Sequence, residues 1–200
     1  MPTQTSIHFY VNWAKERLDE MEAAVTSLEG KVGEVQADVR DKAKKILADL
    51  RKQRDDFRDT VKKQSQANEA AWISAKAKLE PEWNSFEAEV KKYVESFGKE
   101  VAQQQATFKL QAAAQLKAWR EAADKLSGDA KEFATERRVE IDAAVKRMQA
   151  DATAAEEKIQ NNLNQAGAQS WSAFMATLTE TRAAFDRANQ AAREAFKRAA

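Results

Sequence analysis

Cysteine is absent from this 200-residue chain, and histidine, proline and glycine are scarce. The lack of cysteine excludes a disulfide framework and thiol chemistry. His8 is the single histidine, so a Ser-His-Asp or Cys-His arrangement would have to be built around one residue near the chain terminus. Two prolines and five glycines leave few points at which the chain can turn. We therefore expect long uninterrupted segments, no catalytic residues and no enzymatic activity.

An excess of charge of one sign is also missing, since 33 basic residues face 32 acidic ones. No long-range field therefore attracts nucleic acid, anionic lipid or acidic substrates. The most basic stretch, Arg40 to Lys63, has aspartates mixed into it, which is typical of a solvated helix face. Nucleic acid is thus not an expected partner, and binding through this stretch stays a third hypothesis whose signature is a steep salt dependence.

Long hydrophobic runs are missing as well. No stretch approaches the ~18 apolar residues of a membrane span. Lys15, Glu16 and Arg17 lie where a signal peptide would carry its apolar segment, so a cytoplasmic location is the expectation. The isolated glycines form neither a phosphate-binding loop nor a dinucleotide fingerprint. The glutamates between Glu80 and Glu89 are expected to form an exposed helix face, so we expect no metal and no cofactor.

Alanine dominates what is present, with 40 residues, and glutamate, lysine, arginine and glutamine supply much of the rest. These residues have the highest helix propensity, so the whole chain is predicted to be helical. Apolar residues near the amino terminus recur in alternating steps of four and three, which is the pattern of a coiled-coil helix. The series is Ile7, Val11, Ala14, Leu18, Met21, Val25, Leu28, Val32, Val35 and Val39.

The apolar pattern occurs twice along the chain. A shift of 98 residues places Tyr10, Ala14, Leu18, Met21, Val25, Leu28, Gly30, Val35, Ile46, Leu50 and Val61 on Phe108, Ala112, Leu116, Trp119, Ala123, Leu126, Gly128, Phe133, Ala144, Met148 and Ile159. A shift of 99 places Trp72, Leu79, Phe86 and Phe97 on Trp171, Leu178, Phe185 and Phe196. Two tandem repeats, 1–98 and 99–200, are therefore predicted, and they preserve a packing pattern, not a reaction centre. One difference is that Arg182 replaces Trp83.

The points of chain reversal leave two architectures open. Polar segments at 64–69 and 161–169 occupy corresponding places and are predicted turns. If Gly30 and Gly128 are turns too, each repeat has three helices, near 4–28, 32–64 and 69–97 in the first, with Asp129 capping a new helix and the repeats sharing a helix across Gly98. If the glycines lie inside helices, a central helix of about 95 residues carries two shorter ones. We favour an all-α, elongated antiparallel bundle of two three-helix repeats, because glycine is costly inside a helix.

Two resemblances follow from these features. Three unequal amphipathic helices with a tryptophan-bearing stripe resemble a spectrin-type repeat in geometry. The alanine-rich composition and the segments 170–174 and 182–188 resemble bacterial amphipathic-helix proteins of the phasin or apolipoprotein-like kind. The second resemblance implies a surface-coating or scaffolding role.

Aromatic residues supply the candidate binding sites. Trp72, Trp83, Trp119 and Trp171 lie on the apolar stripes and are predicted to be core residues. Trp13 lies one place off its stripe, beside Phe9 and Tyr10, so this cluster is predicted to be exposed and available to a partner. The full set of candidate partner-binding residues is Phe9, Tyr10, Trp13, Trp171, Phe174 and Phe185.

The sequence therefore predicts a structural or interaction protein, an elongated helical scaffold that self-associates or binds a protein partner through apolar helix faces. The alternative is a peripheral coat that lays amphipathic helices on a lipid membrane or a hydrophobic granule. Alanine at 112, 123, 130, 144, 152 and 155 thins the second core and motivates the alternative, because less apolar area is lost when that half opens.

Overall fold

A computed structural model describes residues 2–98, 100–165 and 170–200, with side chains from Ile7 onward. These residues form six long helices and no strand, which confirms the all-helical prediction. The helices are α1 (Pro2–Lys31), α2 (Arg40–Gln64), α3 (Glu69–Phe97), α4 (Val101–Ala130), α5 (Thr135–Asn164) and α6 (Trp171–Ala199). We refer to α1–α3 as the first half of the chain and to α4–α6 as the second half.

The predicted polar turns coincide with helix ends. α2 ends at Gln64 and α3 begins at Glu69, where the Asn68 side chain accepts a hydrogen bond from the Ala71 backbone N–H at 2.9 Å. An asparagine at this position satisfies one of the free N–H groups of the first helical turn. α5 ends at Asn164 and α6 begins at Trp171, and residues 166–169 of the second predicted turn lie outside the described residues.

Gly30 and Gly128 lie inside the last turns of α1 and α4, so neither glycine is itself the break in the helix. The chain leaves helical geometry just after them, at 32–39 and 131–134, and the single central helix of about 95 residues is therefore wrong. The predicted cap at Asp129 is also wrong, because α5 begins at Thr135 and the Asp129 side chain contacts His8.

The first break follows from the residues after Gly30. Val32–Glu34 form one 3-10 turn, and the Arg40 guanidinium then donates to the backbone carbonyls of Gly33 and Val35 at 3.0–3.1 Å. Val35 stays buried although it is not helical. The apolar spacing thus continues through a turn because the turn itself packs on the core.

The two halves do not share a helix across Gly98. α3 ends at Phe97, and the Gly98 N–H donates to the Val94 carbonyl at 2.8 Å. Pro81 lies within α3, which continues past it to Phe97, so the helix does not restart at the proline. A proline inside a helix lacks the backbone N–H and its ring crowds the carbonyl four residues earlier, at a cost of roughly 3 kcal/mol, which the burial of Leu79 and Trp83 on either side of Pro81 helps to offset.

The apolar stripes form the core. The four tryptophans predicted to be core residues are at most 5 % exposed, which confirms their assignment. Six of the seven ring contacts in the described part of the chain stay within one half. The six pairs are Tyr10–Trp72, Trp83–Phe86, Tyr93–Phe97, Phe108–Phe174, Trp119–Phe185 and Phe133–Phe196.

The helices pack unequally. α1 and α4 form the most extensive contact, α1 also packs on α2, α3 and α6, and α4 also packs on α5 and α6. α1, α4 and α6 are therefore the helices at which the two halves meet. None of the described helices is long and apolar enough to cross a membrane.

Candidate functional site

Buried polar side chains are concentrated where the two halves meet. All twelve buried polar or charged residues in the described part of the chain lie on α1, α4 or α6. We call this set the polar layer, and its members are Asn12, Glu16, Arg17, Glu20, Ser27, Thr107, Gln111, Gln115, Thr177, Thr181, Arg182 and Asn189. Burial of charge is costly unless the charge is paired, so the layer requires a specific arrangement.

Arg182 lies at the centre of the polar layer. Its guanidinium donates to both carboxylate oxygens of Glu20, with Nη2 to Oε2 at 2.8 Å and Nε to Oε1 at 3.2 Å. Nη1 donates to Glu87 on α3 at 3.0 Å, and the guanidinium carbon lies 4.5 Å from the centre of the Trp83 ring. Arg182 thus contacts the tryptophan that occupies the corresponding position of the first half.

Arg17 forms a second ion pair beside the first. Its guanidinium donates to both carboxylate oxygens of Asp186 on α6, at 2.8 and 2.6 Å, and to Glu16 at 2.9 Å. The same group lies 4.7 Å from the centre of the Trp13 ring. Two arginines, one from each half, therefore each pair with a carboxylate of the other half.

Two glutamates one helical turn apart share this interior. Burial and the negative charge of Glu20 raise the pKa of Glu16 well above its usual value. Burial also acts to raise the pKa of Glu20, but the positive charge of Arg182 outweighs burial, so the pKa of Glu20 lies below its usual value. The neutral, protonated form of Glu16 is therefore favoured beside the Glu20 carboxylate. Burial likewise disfavours the charged form of Arg182, but Glu20 and Glu16 outweigh it and raise the pKa of Arg182.

Gln115 connects α4 to the same cluster. Its amide nitrogen donates to Glu20 at 2.8 Å and to the Leu178 carbonyl at 3.1 Å, and its amide oxygen accepts from the Thr181 hydroxyl. The ionic centre therefore joins α1, α3, α4 and α6.

Weaker polar pairs continue along α1 and α4 on both sides of the centre. His8 meets Asp129 at 2.7 Å and Lys15 meets Glu121 at 2.8 Å, and these four side chains are partly exposed. Toward the other end, the Ser27 hydroxyl lies 2.8 Å from that of Thr107, and Gln103 donates to Glu34 at 2.7 Å. The whole length of this helix pair is thus held by polar contacts.

Several polar atoms of the layer have no hydrogen-bond partner within the described part of the chain. They are Asn12 Nδ2, Glu16 Oε1, Arg17 Nε, Gln111 Oε1 and Asn189 Oδ1. Each such buried atom costs roughly 1–3 kcal/mol relative to water. The polar layer is therefore less favourable than an apolar interior of the same size, although its paired members fix one arrangement of the halves.

The six candidate partner-binding residues are largely covered by the fold. Phe9, Trp13, Trp171, Phe174 and Phe185 are buried and Tyr10 is half-buried. The expected exposure of the cluster around Trp13 is wrong, because Tyr10 stacks on Trp72 and Trp13 packs beneath Arg17. Partner binding by these residues stays a prediction.

The basic stretch Arg40 to Lys63 lies entirely on α2. Arg51 pairs with Glu29, Lys52 with Asp56, and Arg58 with Glu22 and Asp55. Part of its positive charge is therefore balanced on the same surface.

Sequence reasoning missed the polar layer because Glu16, Arg17 and Glu20 resemble a solvated helix face when α1 is considered alone. The available signal was the pair Trp83 and Arg182, since an arginine in an aromatic stripe requires a carboxylate partner. A search of family models, curated proteins and solved structures finds no match to this chain.

Proposed function

We propose that this chain is a non-enzymatic structural protein, a helical scaffold of two antiparallel three-helix units, 1–98 and 99–200, that self-associates or binds a protein partner. The observation that carries the proposal is the division of contacts. Six of the seven described ring contacts lie within a half, whereas the ion pairs of Arg17 with Asp186 and of Arg182 with Glu20 join the two halves. Two three-helix units that meet through a specific polar layer are suited to assembly.

The order of contacts along α1 and α4 supports the antiparallel arrangement. His8 meets Asp129, Glu20 meets Gln115 and Ser27 meets Thr107, so residue numbers rise along α1 as they fall along α4. An approximate two-fold relation between the halves follows from this order, because the contacts centre on Glu20 and Gln115. Tandem units related in this way present matching surfaces to each other.

The closed chain offers little apolar surface to a partner. Large exposed apolar side chains in its described part are Ile73 on α3, Val101 and Leu110 on α4, and Val139 on α5. Rigid docking through a large apolar patch is therefore disfavoured. Association through the contact between the halves fits the surface better.

Sedimentation of the full chain over a wide concentration range, combined with small-angle scattering, tests this proposal. We expect a concentration-dependent larger species with a greater maximum dimension than the closed chain. A monomer of unchanged dimensions at every concentration, with no protein captured from its source, would contradict it.

A peripheral coat is the second candidate, and the composition of the second core favours it. Ala123 and Ala155 are buried there, whereas Val25 and Phe57 fill the corresponding places in the first half. Each alanine contributes less apolar area, at roughly 25 cal/mol per Å², so the second half opens at lower cost. Opening would turn its helices toward a lipid or granule surface.

A cysteine pair tests the coat function, because the chain has no other thiol. Asn162 on α5 contacts Thr177 on α6, so the double variant Asn162→Cys/Thr177→Cys can lock the second half closed. We expect the reduced variant to float with vesicles and the oxidised variant to stay in solution. Equal flotation of both forms would contradict opening, and flotation of neither form would contradict the coat function itself.

A further inference from the structure

We infer that the polar layer is an exchangeable interface whose second partner is another copy of this chain, so that the first half of one copy pairs with the second half of the other. This inference rests on the proposed self-association and names its surface. The two arginine pairs at the centre of the layer, Glu20 with Arg182 and Arg17 with Asp186, each join one half to the other. The same contacts can therefore form between two chains without any new surface.

Most aromatic contacts are kept within a half when the halves separate. Phe9 with Phe196 is the single ring contact between halves among the described residues, and the other six remain intact within a half. Separation exposes the polar layer together with the apolar residues that α1 and α4 bury against each other. Water can then reach the buried polar atoms of Asn12, Gln111 and Asn189, which have no partner within the described part of the chain.

Gly98 supplies the hinge. It follows α3 directly, its carbonyl accepts from the Gln104 side chain at 2.9 Å, and an added Cβ would lie 3.2 Å from the Val94 backbone. The bend therefore favours glycine because of a close approach. A straight helix from α3 toward α4 has no such restriction and would carry the second half away from the first, toward another copy.

The charges of the central pair allow a direct test in the full chain. In the Glu20→Arg variant the introduced arginine faces Arg182, and in the Arg182→Glu variant the introduced glutamate faces Glu20, so neither chain can close its own layer. In a mixture, exchange joins the introduced arginine to the introduced glutamate in one layer and restores Glu20 with Arg182 in the other. We expect each variant alone to lack a closed form, and the two refolded together to give a heterodimer of twice the 22.4 kDa chain mass.

Two controls accompany the mixture. The double variant Glu20→Arg/Arg182→Glu carries the swapped pair within one chain and should behave as the original chain does. A mixture of Arg182→Glu with Glu157→Arg, a change on the exposed face of α5, should give no heterodimer. A heterodimer in the second control, or none in the test mixture while the double variant closes, would overturn the inference.

A second measurement does not depend on charge reversal. Ser27 and Thr107 touch across the layer, so Ser27→Cys/Thr107→Cys should form a disulfide there on oxidation. The bond lies within one chain in the closed form and between two chains after exchange. We expect covalent dimer to increase with protein concentration, and to increase at least twofold further when Gly98→Ala is added. Only monomer at all concentrations, with and without Gly98→Ala, would overturn the inference.

These outcomes separate the inference from the function on which it rests. Self-association of the unaltered chain, combined with disulfides formed only within chains, would retain the scaffold and assign its assembly to another surface. An unaltered chain that stays monomeric and captures no partner would instead remove the proposed function, whatever the variants do.

Discussion

Most ring contacts lie within a half, whereas the buried carboxylates, guanidinium groups and amides are concentrated where the two halves meet. Trp119 packs against Phe185 inside the second half, while Arg182, on the same helix as Phe185, pairs with Glu20 of the first half. Apolar packing gains free energy in proportion to area and tolerates several arrangements. A buried ion pair is worth little until its partners align, and then it excludes other arrangements. The apolar cores therefore supply most of the stability, and the polar layer supplies the pairing of the halves.

Replacing Arg182 with leucine should give the largest effect on stability. The change leaves Glu20 buried without its cation, and removing one partner of a buried pair costs about 3–5 kcal/mol. Urea denaturation measures the free energy of unfolding. Arg147→Leu on the exposed face of α5 is the matched control and should change stability by less than about 0.5 kcal/mol. Equal effects of the two changes would remove the distinction between the layer and the surface.

Truncating a buried leucine should lower the free energy of unfolding somewhat less than Arg182→Leu does, and the loss should not depend on pH. Leu126 is completely buried in the second half, and a leucine-to-alanine change at such a site costs about 2–5 kcal/mol. Because no charge is involved, we expect the loss for Leu126→Ala to be the same at every pH at which the chain is folded. A loss that varies with pH would show that core and layer are not independent.

The apolar part of this structure could be predicted from the sequence because its pattern is local. Stripes spaced by three and four residues gave six helices, the turn at Asn68 and the buried tryptophans. The end of α1 was predicted at the wrong residue. Val35 continues the apolar spacing of the helix although it lies in a turn, which the Arg40 guanidinium stabilises by donating to the Val35 carbonyl.

The polar layer could not be predicted because its pairs join distant positions. Arg182 and Glu20 are 162 residues apart in sequence, and nothing in the neighbourhood of either residue identifies the other. The cluster around Trp13 was misjudged for the same reason, since the residues that cover it belong to other helices. Trp72 and Lys76 on α3 are examples.

Replacing Glu16 with glutamine should reveal the raised pKa of Glu16. The pKa of Glu16 is raised in the folded chain, so its proton contributes stability in full below the usual pKa and loses that contribution as pH rises through the folded pKa. Glutamine mimics the protonated form at every pH. We therefore expect Glu16→Gln to gain stability over the original chain as pH rises from weakly acidic values, with a slope of at most about 1.4 kcal/mol per pH unit.

Urea denaturation of both proteins at a series of pH values measures that slope. Glu20, whose pKa is lowered by Arg182, loses its contribution as pH falls, and it does so in both proteins. Arg17 and Arg182 stay charged throughout. A constant difference between Glu16→Gln and the original chain would show that Glu16 is ionised in the folded state.

The smallest effect is expected at the edge of the layer, where Asp129 meets His8. Their side chains are 26 % and 29 % exposed, and pairs in such surroundings contribute less than about 1 kcal/mol. Asp129→Asn should therefore lower the free energy of unfolding only slightly, and about 1 M salt should remove the charge-dependent part of the loss. The loss from Arg182→Leu should persist in the same salt, because ions do not reach the buried centre. If salt reduced both losses equally, the centre of the layer would be open to solvent, and the halves would already be separating in the unaltered chain.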